Sequence, residues 1–283
     1  MSHNIKLIVT DLDGTFVPNI HEVIKENLAA LKAAKAAGIR VVACTGRHWG
    51  QAQCVLAASD FDEICITSHG SAVVSTRTGE DKRLLPLHDE WMPKIYQYLE
   101  SMGISIEKTR VCDRFCYYGI DPTIREEWED RLQWMYGTEH PSMTRVFRTP
   151  ELFLSAERGR SERLLFTVPC CEAEDLMRIQ QELVTVAPVV VTNASGTEME
   201  LINQHAGKHN GAKWVAQYYG IERTNVLAIG DGFNDIPMVQ WAGVGVAMGN
   251  AKEALKEVAD IVAPNVADGG FAKVVYDCIE GRI

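Results

Sequence analysis

A chain of 283 residues, 46% hydrophobic and 23% charged, is long enough to bury one large core or two ordinary ones, and nothing in that composition marks it as disordered. Its formal net charge of -10 at pH 7 disfavours a nonspecific hold on nucleic acid or on an anionic membrane. Small molecules are the expected partners, with a local positive pocket as the means of holding an anion.

The amino-terminal stretch MSHNIKLIVTD reaches charged residues after a short apolar run. That run is too short for the hydrophobic segment of a secretion signal and far too short to span a bilayer, so the cytoplasm is the expected compartment. The eight cysteines agree with it: Cys112 with Cys116, and Cys170 beside Cys171, match no common zinc spacing and read as reduced thiols. Asn193-Ala194-Ser195 is formally a glycosylation sequon and reads as a turn.

In chain order, Ile5 to Thr10 is a short, β-branched apolar run that predicts a buried strand. Glu22 to Ala37 carries Ile24, Leu28 and Leu31 at helical spacing, with Gly38 placed to cap a helix. Ile39 to Cys44 predicts a second strand, Trp49 to Ala58 a helix and Glu63 to Thr67 a third strand. From about Pro86 to Asn203 the chain is richer in charge and aromatics, and apolar and polar residues alternate. An inserted second domain is expected there. Phe115, Tyr117, Tyr118, Trp128, Trp134 and Tyr136 concentrate in it as expected core, and Val189 to Thr192 with Thr197 to Ile202 predict a hairpin through Ala194-Ser195-Gly196. Val226 to Ile229, Val244 to Met248 and Ile261 to Ala263 return to short apolar strands. The expected architecture is α/β: a doubly wound parallel-sheet, Rossmann-like core from residues 1–85 and 204–283, with an α+β domain inserted over 86–203.

Asp11 and Asp13 stand where the first strand gives out. If extended geometry persists, residues i and i+2 share a face, so both carboxylates would lie at the carboxyl edge of a parallel strand, where ligands bind in open α/β sheets. Neighbouring carboxylates raise one another's pKa unless a cation is near, so a metal is bound there, or one group is held protonated, or both in turn. Gly14 and Thr15 let the chain turn away and offer backbone N–H groups to a phosphate. Cys44-Thr45-Gly46-Arg47 follows the second strand with a hydroxyl and a glycine N–H. Lys208 in AGKHNGAKW opens a helix and supplies positive charge. AIGDGFND, residues 228 to 235, ends a further strand in Asp231 and Asp235 flanking Asn234.

DLDGT, TGR, a lysine and GDGFND in this order resemble the four-motif set of the haloacid dehalogenase superfamily. Residues 230 to 270 are similar to its Cof-type phosphatases almost throughout, and the insert sits where those proteins carry an α/β cap. The resemblance implies that Asp11 is a nucleophile that takes phosphate as an aspartyl phosphate. It implies that Asp13 protonates the leaving oxygen and then activates water. Mg²⁺ would be held by Asp11, the backbone carbonyl of Asp13, and Asp231. Thr45, Gly46, Lys208 and Asn234 would grip the phosphoryl group, with Asp235 and Arg47 in support. A carboxylate can attack a dianionic phosphate only if a cation and donors cancel the repulsion, and hard Mg²⁺ prefers oxygen ligands.

Departures from the family pattern are specific. Phe16-Val17-Pro18 follows DLDGT in place of a leucine pair. Ser68-His69-Gly70-Ser71 stands where relatives read Asn-Gly-Ala, and His69 reads as a local hydrogen-bonding residue, with a substrate contact as the alternative. His209-Asn210 replaces the usual glycine after the lysine. Gly243, Gly245 and Gly249 imitate a dinucleotide fingerprint, but the last spacing is one residue too long and the segment lies late in the chain. The expected function is a magnesium-dependent phosphatase of small phosphorylated metabolites, either sugar phosphates or a phosphorylated cofactor. A phosphomutase and a noncatalytic phosphometabolite sensor are the alternatives. Monomer or homo-oligomer is left open.

Overall fold

The computed structural model describes residues 4–18, 23–120, 144–156, 159–168, 173–195 and 198–283. The chain forms two compact units, one of residues 1–83 with 207–283 and the other of residues 84–206. Among the described residues, no helix is long and apolar enough to cross a membrane.

The first unit opens with β1 (Leu7–Thr10), α1 (Lys25–Ala36), β2 (Arg40–Cys44), α2 (Trp49–Leu56), β3 (Ile64–Thr67), β4 (Ala72–Ser75) and β5 (Asp81–Leu84). In the second unit follow α3 (Met92–Ser101), β6 (Thr109–Cys112), β7 (Tyr117–Gly119), β8 (Thr144–Val146), α4 (Pro150–Ser155), β9 (Arg163–Thr167), α5 (Ala173–Val186), β10 (Val189–Ser195) and β11 (Glu198–Asn203). The chain then returns to the first unit with α6 (Lys208–Tyr218), β12 (Val226–Gly230), α7 (Ile236–Trp241), β13 (Val244–Ala247), α8 (Glu253–Lys256), β14 (Ile261–Val262) and α9 (Gly270–Ile279).

Eight strands form the first sheet in the order β14-β13-β12-β1-β2-β3-β4-β5. It is parallel from β14 to β3, and β4 joins β3 antiparallel as part of an edge that the apolar runs did not predict. Strand β1, LIVT, is buried throughout, which suits a central parallel strand covered on both faces. Its register sets Thr10 abreast of Ile229 on one side and Ala43 on the other. The chain therefore leaves β1, β2 and β12 at one level, and the segments that begin at Asp11, Thr45 and Asp231 start side by side.

Helix α1 ends as its glycine predicts. Gly38 is left-handed at φ 78°, and Ile39 N–H donates to Ala34 O at 2.9 Å, closing the last turn. Helix α2 is capped by His48, whose Nδ1 accepts from Gln51 N at 3.3 Å. Beyond β1 the chain curls rather than extends, because Phe16 N–H and Val17 N–H both donate to Leu12 O at 2.9 Å. Phe16 drops into the core, its ring 4.8 Å from Phe61 and 5.0 Å from Phe271 in edge contacts, and Asn27 Nδ2 donates to its carbonyl at 2.7 Å. The departure from a leucine pair is thus a core anchor for the turn.

The second unit is a six-stranded sheet in the order β10-β11-β9-β6-β7-β8, antiparallel except where β7 meets β8. Val111, Leu164, Phe166, Met199 and Leu201 pack with Ile95, Leu99, Ile179 and Leu183 of the helices in its core. The predicted hairpin is β10 with β11, running from Val189 opposite Asn203 with a bulge between Val191 and Asn193. Of the aromatics, Tyr118 packs against this core and Phe115 is exposed, while Trp128, Trp134 and Tyr136 lie outside the described residues.

Phe16→Ala is expected to lower the unfolding free energy by about 3–5 kcal/mol, because a fully buried ring with two aromatic neighbours leaves a cavity. Urea titration with equal slopes for both proteins measures it. A loss under about 1 kcal/mol would show that the turn is anchored elsewhere.

Candidate active site

Helix α6 begins at Lys208, fully buried, and its Nζ lies 2.9 Å from Asp11 Oδ1 and 2.7 Å from Asp235 Oδ1. Asp235 uses its other oxygen to accept from Asp231 N at 3.1 Å and Gly232 N at 2.9 Å, which folds the segment after β12 into a tight 3₁₀ turn. Thr15 Oγ1 donates to Asp231 Oδ1 at 3.0 Å. Gly14, at φ 78°, passes so close that a Cβ there would collide with Asp231 Oδ2. The left-handed angle and the close approach both require glycine.

Asp11, Asp231 and Asp235 each offer a carboxylate oxygen within 4.8 Å of the others. Three acids against one ammonium leave an excess of two negative charges, and hard oxygen donors in that number fit a divalent cation. The titration of Asp11, Asp231 and Lys208 agrees. Burial raises Asp11 well above the ordinary carboxylate value; Lys208 opposes the shift, and Asp235, Asp231 and Asp13 add to it. Burial first, and Asp235 second, push Asp231 up to about 6. Lys208 is raised despite burial, because Asp11 and Asp235 favour its charged form.

Asp13 is placed differently from the alternation expected of an extended chain. With β1 ending at Thr10 and the turn beginning, its carboxyl faces Arg47: Nη2 donates to Oδ1 at 2.5 Å and Nε to Oδ2 at 2.9 Å. Arg47 is 5% exposed and the Asp13 side chain 43%, so this is a bidentate, part-buried pair with its carboxylate open to solvent. Its backbone N–H donates to Thr45 Oγ1 at 3.1 Å, which leaves the Thr45 hydroxyl proton as a donor. The mutual repulsion of Asp11 and Asp13 is relieved by two different side-chain cations, one for each.

Gly46 and Asn234 meet through a third residue. His69 Nδ1 is 3.2 Å from Asn234 Nδ2, and a Cβ on Gly46 would lie 2.5 Å from His69 Cε1. Asp11, Asp13, Thr45, Gly46, Arg47, Lys208, Asp231, Asn234 and Asp235 all belong to the first unit, on the segments that follow β1, β2 and β12 and at the start of α6. Two further contributions are missed in the sequence, where Thr15 reads only for its backbone and Asn250 is not named. The Thr15 hydroxyl holds Asp231, and Asn250, just past β13, donates to Gly14 O at 2.8 Å while accepting from Val266 N at 2.9 Å. Its position one residue beyond Gly249, after another parallel strand end, is the signal that could have found it. Gly245 serves packing, since a Cβ there would lie 2.5 Å from Val239 O.

A family model of haloacid dehalogenase-like hydrolases matches residues 8–275. The chain belongs to that family. It is 28% identical to Putative phosphatase YxeH of Bacillus subtilis (strain 168), over 97% of this chain and 98% of the relative. It is 25% identical to the 5-amino-6-(5-phospho-D-ribitylamino)uracil phosphatase YcsE of the same organism, over 96% of this chain and 95% of that one. Among solved structures it is similar to BT1666 from Bacteroides thetaiotaomicron, one of the phosphatases of the haloalkanoate (HAD) enzyme superfamily. There the TM-score is 0.79 and the identity 26%, covering 98% of this chain and 96% of the other. By class, the chain is a phosphoric monoester hydrolase.

Raised acids make a sign-definite prediction. Asp11 and Asp231 hold their protons more tightly folded than unfolded, where they titrate near about 3.9. Through Asp231 the metal-free protein therefore loses stability as pH rises from about 4 to about 6, Asp11 acts in the same direction, and neither group restores it at higher pH. Melting curves with a chelator and with a divalent cation should show a cation-dependent rise in Tm at neutral pH that fades near about pH 4. The same Tm with and without cation at neutral pH would contradict the charge balance drawn here.

Proposed function

We propose that the protein is a magnesium-dependent phosphatase of small phosphorylated metabolites, sugar phosphates or a phosphorylated cofactor, working through an aspartyl phosphate. The observation that carries this reading is the buried Lys208 between Asp11 and Asp235, within a set of three converging carboxylates. Mg²⁺, held by Asp11, Asp231 and the backbone carbonyl of Asp13, would supply positive charge to the phosphoryl oxygens.

An Asp11 carboxylate oxygen attacks phosphorus, and the phosphorus–oxygen bond to the leaving group breaks. Asp13 gives the departing oxygen a proton. Its side chain is 43% exposed, so water can reach it in the second step. There Asp13 takes a proton from water, the resulting hydroxide attacks phosphorus, and the Asp11–phosphorus linkage breaks to release inorganic phosphate. Lys208, the Thr45 hydroxyl, the Gly46 N–H and Asn234 bind the phosphoryl oxygens as charge moves through the transition state. Arg47 orients Asp13, and Asp235 orients Lys208 and the turn that carries Asp231.

Residues 86–203 are assigned the role of cap and of substrate selectivity. YcsE, by its name, is a phosphatase of 5-amino-6-(5-phospho-D-ribitylamino)uracil, which supports small phosphorylated metabolites as the substrate class. A cytoplasmic setting completes the reading. Among the described residues Cys44, Cys65, Cys112 and Cys278 are unbridged thiols, which suits a reducing compartment.

Phosphate release from a panel of phosphorylated metabolites, with Mg²⁺ and with chelator, tests the function. Release is expected only with metal, is expected to fall to background in Asp11→Asn, and to slow by on the order of 10²–10⁴ in Asp13→Asn. A well-folded Asp11→Asn protein with normal turnover would overturn the nucleophile assignment. Transfer of phosphate between positions of a substrate without release would make the enzyme a mutase, and binding without turnover a sensor.

A further inference from the structure

Immediately after β3 three successive residues are left-handed: Ser68 at φ 48°, His69 at φ 55° and Gly70 at φ 89°. Two of them are not glycine, and side chains in that region carry a steric cost that persists only where the surroundings impose it. The surroundings here are the phosphate-site segments themselves. Ser68 N–H donates to Arg47 O at 2.8 Å, His69 N–H to Thr45 O at 3.1 Å, and Gly207 N–H to His69 O at 2.9 Å. At Gly70 a Cβ would collide with the Gly207 carbonyl, so the chain has no room to relax there.

None of those backbone bonds requires an imidazole. Glycine or asparagine at position 69 would make them at lower steric cost. The ring itself is 4% exposed and lies against two residues from different strand ends. On one side the bare Cα of Gly46 admits it, since a Cβ would lie 2.5 Å from Cε1 and 2.7 Å from Nε2. On the other side Nδ1 is 3.2 Å from Asn234 Nδ2. An amide nitrogen can only donate, so Nδ1 accepts, and the neutral ring keeps its proton on Nε2. The far end of the same carboxamide lies over another bare backbone, because a Cβ on Gly232 would be 2.7 Å from Asn234 Oδ1. The carboxamide is thus held between the imidazole and the Gly232 backbone, and both glycines are needed for the fit.

We propose that His69 is a positioning residue of the phosphate site. It fixes the Asn234 carboxamide through Nδ1, so that affinity for the phosphoryl group passes through the His69–Asn234 pair. The backbone strain at position 69 is maintained for that contact. This rests on the phosphate-binding role proposed for Asn234 above.

Calorimetric binding of inorganic phosphate in the presence of Mg²⁺ tests the pair without depending on turnover. His69→Gly, which removes both ring and strain, should keep its Tm or raise it, yet bind phosphate about tenfold more weakly, the loss expected of one hydrogen bond to a polar ligand group. Asn234→Ala should weaken binding to a similar degree, and the double variant no further than either single one, because the two side chains act as one unit. His69→Asn tolerates the left-handed angle and carries an acceptor near the place of Nδ1, so it should recover affinity to within about threefold of the original. Unchanged affinity in a folded His69→Gly protein, unchanged affinity in Asn234→Ala, or fully additive losses would each overturn the proposal. An original protein that binds phosphate but releases none from any ester would overturn the hydrolytic reading and leave the pair standing. One that binds no phosphate would overturn both.

Discussion

A single buried ammonium organises this protein. Lys208 can stay ionised out of water because Asp11 and Asp235 flank it, and those acids can be buried because Lys208 lies between them. Residues 11, 208 and 235 come from the first strand end, the first turn of α6 and the turn after β12, so one charge cluster ties together places far apart in the chain. Asp235 extends the tie through two backbone N–H groups, and Asp231 is thereby presented beside Asp11. Removing Lys208 would leave Asp11 and Asp235 buried without their cation, which is why the cluster constrains the fold as strongly as it constrains chemistry.

The sheet makes that cluster possible. Thr10, Ala43 and Ile229 are abreast in a parallel register, so three loops begin at one height and can converge without long excursions. Convergence then depends on missing side chains. Gly14 clears Asp231, Gly46 clears the His69 ring and Gly70 clears the Gly207 carbonyl. Each is a point where backbone must approach more closely than any Cβ permits.

The two aspartates of DLDGT end in unlike surroundings for the same reason. Leu12 O collects the N–H groups of Phe16 and Val17, curling the chain at once after β1, and Phe16 anchors the curl in the core. Asp11 stays inside against Lys208 while Asp13 swings to Arg47 and keeps contact with solvent. A fixed, buried carboxylate beside a more accessible one suits the nucleophilic and proton-transfer roles proposed for them.

Much of this was legible in the sequence. Short β-branched runs bounded by helices specify a parallel core, because a strand buried on both faces has no polar alternation to show, and Gly38 marks the end of α1 by the left-handed turn it makes. The acids, the TGR loop and Lys208 were readable because their chemistry is unusual at strand ends. The antiparallel edge formed by β4 was not, since its pairing with β3 is a matter of register and not of composition. Nor could the sequence say that Arg47 would face Asp13, that Thr15 would hold Asp231 and Asn250 the Gly14 carbonyl, or that His69 would lie between Gly46 and Asn234. Local sequence determined the elements and the inventory of reactive groups, whereas only the tertiary structure decided which of them meet, because contacts between residues 47 and 13, or 69 and 234, depend on how separate strand ends are brought to one edge of the sheet.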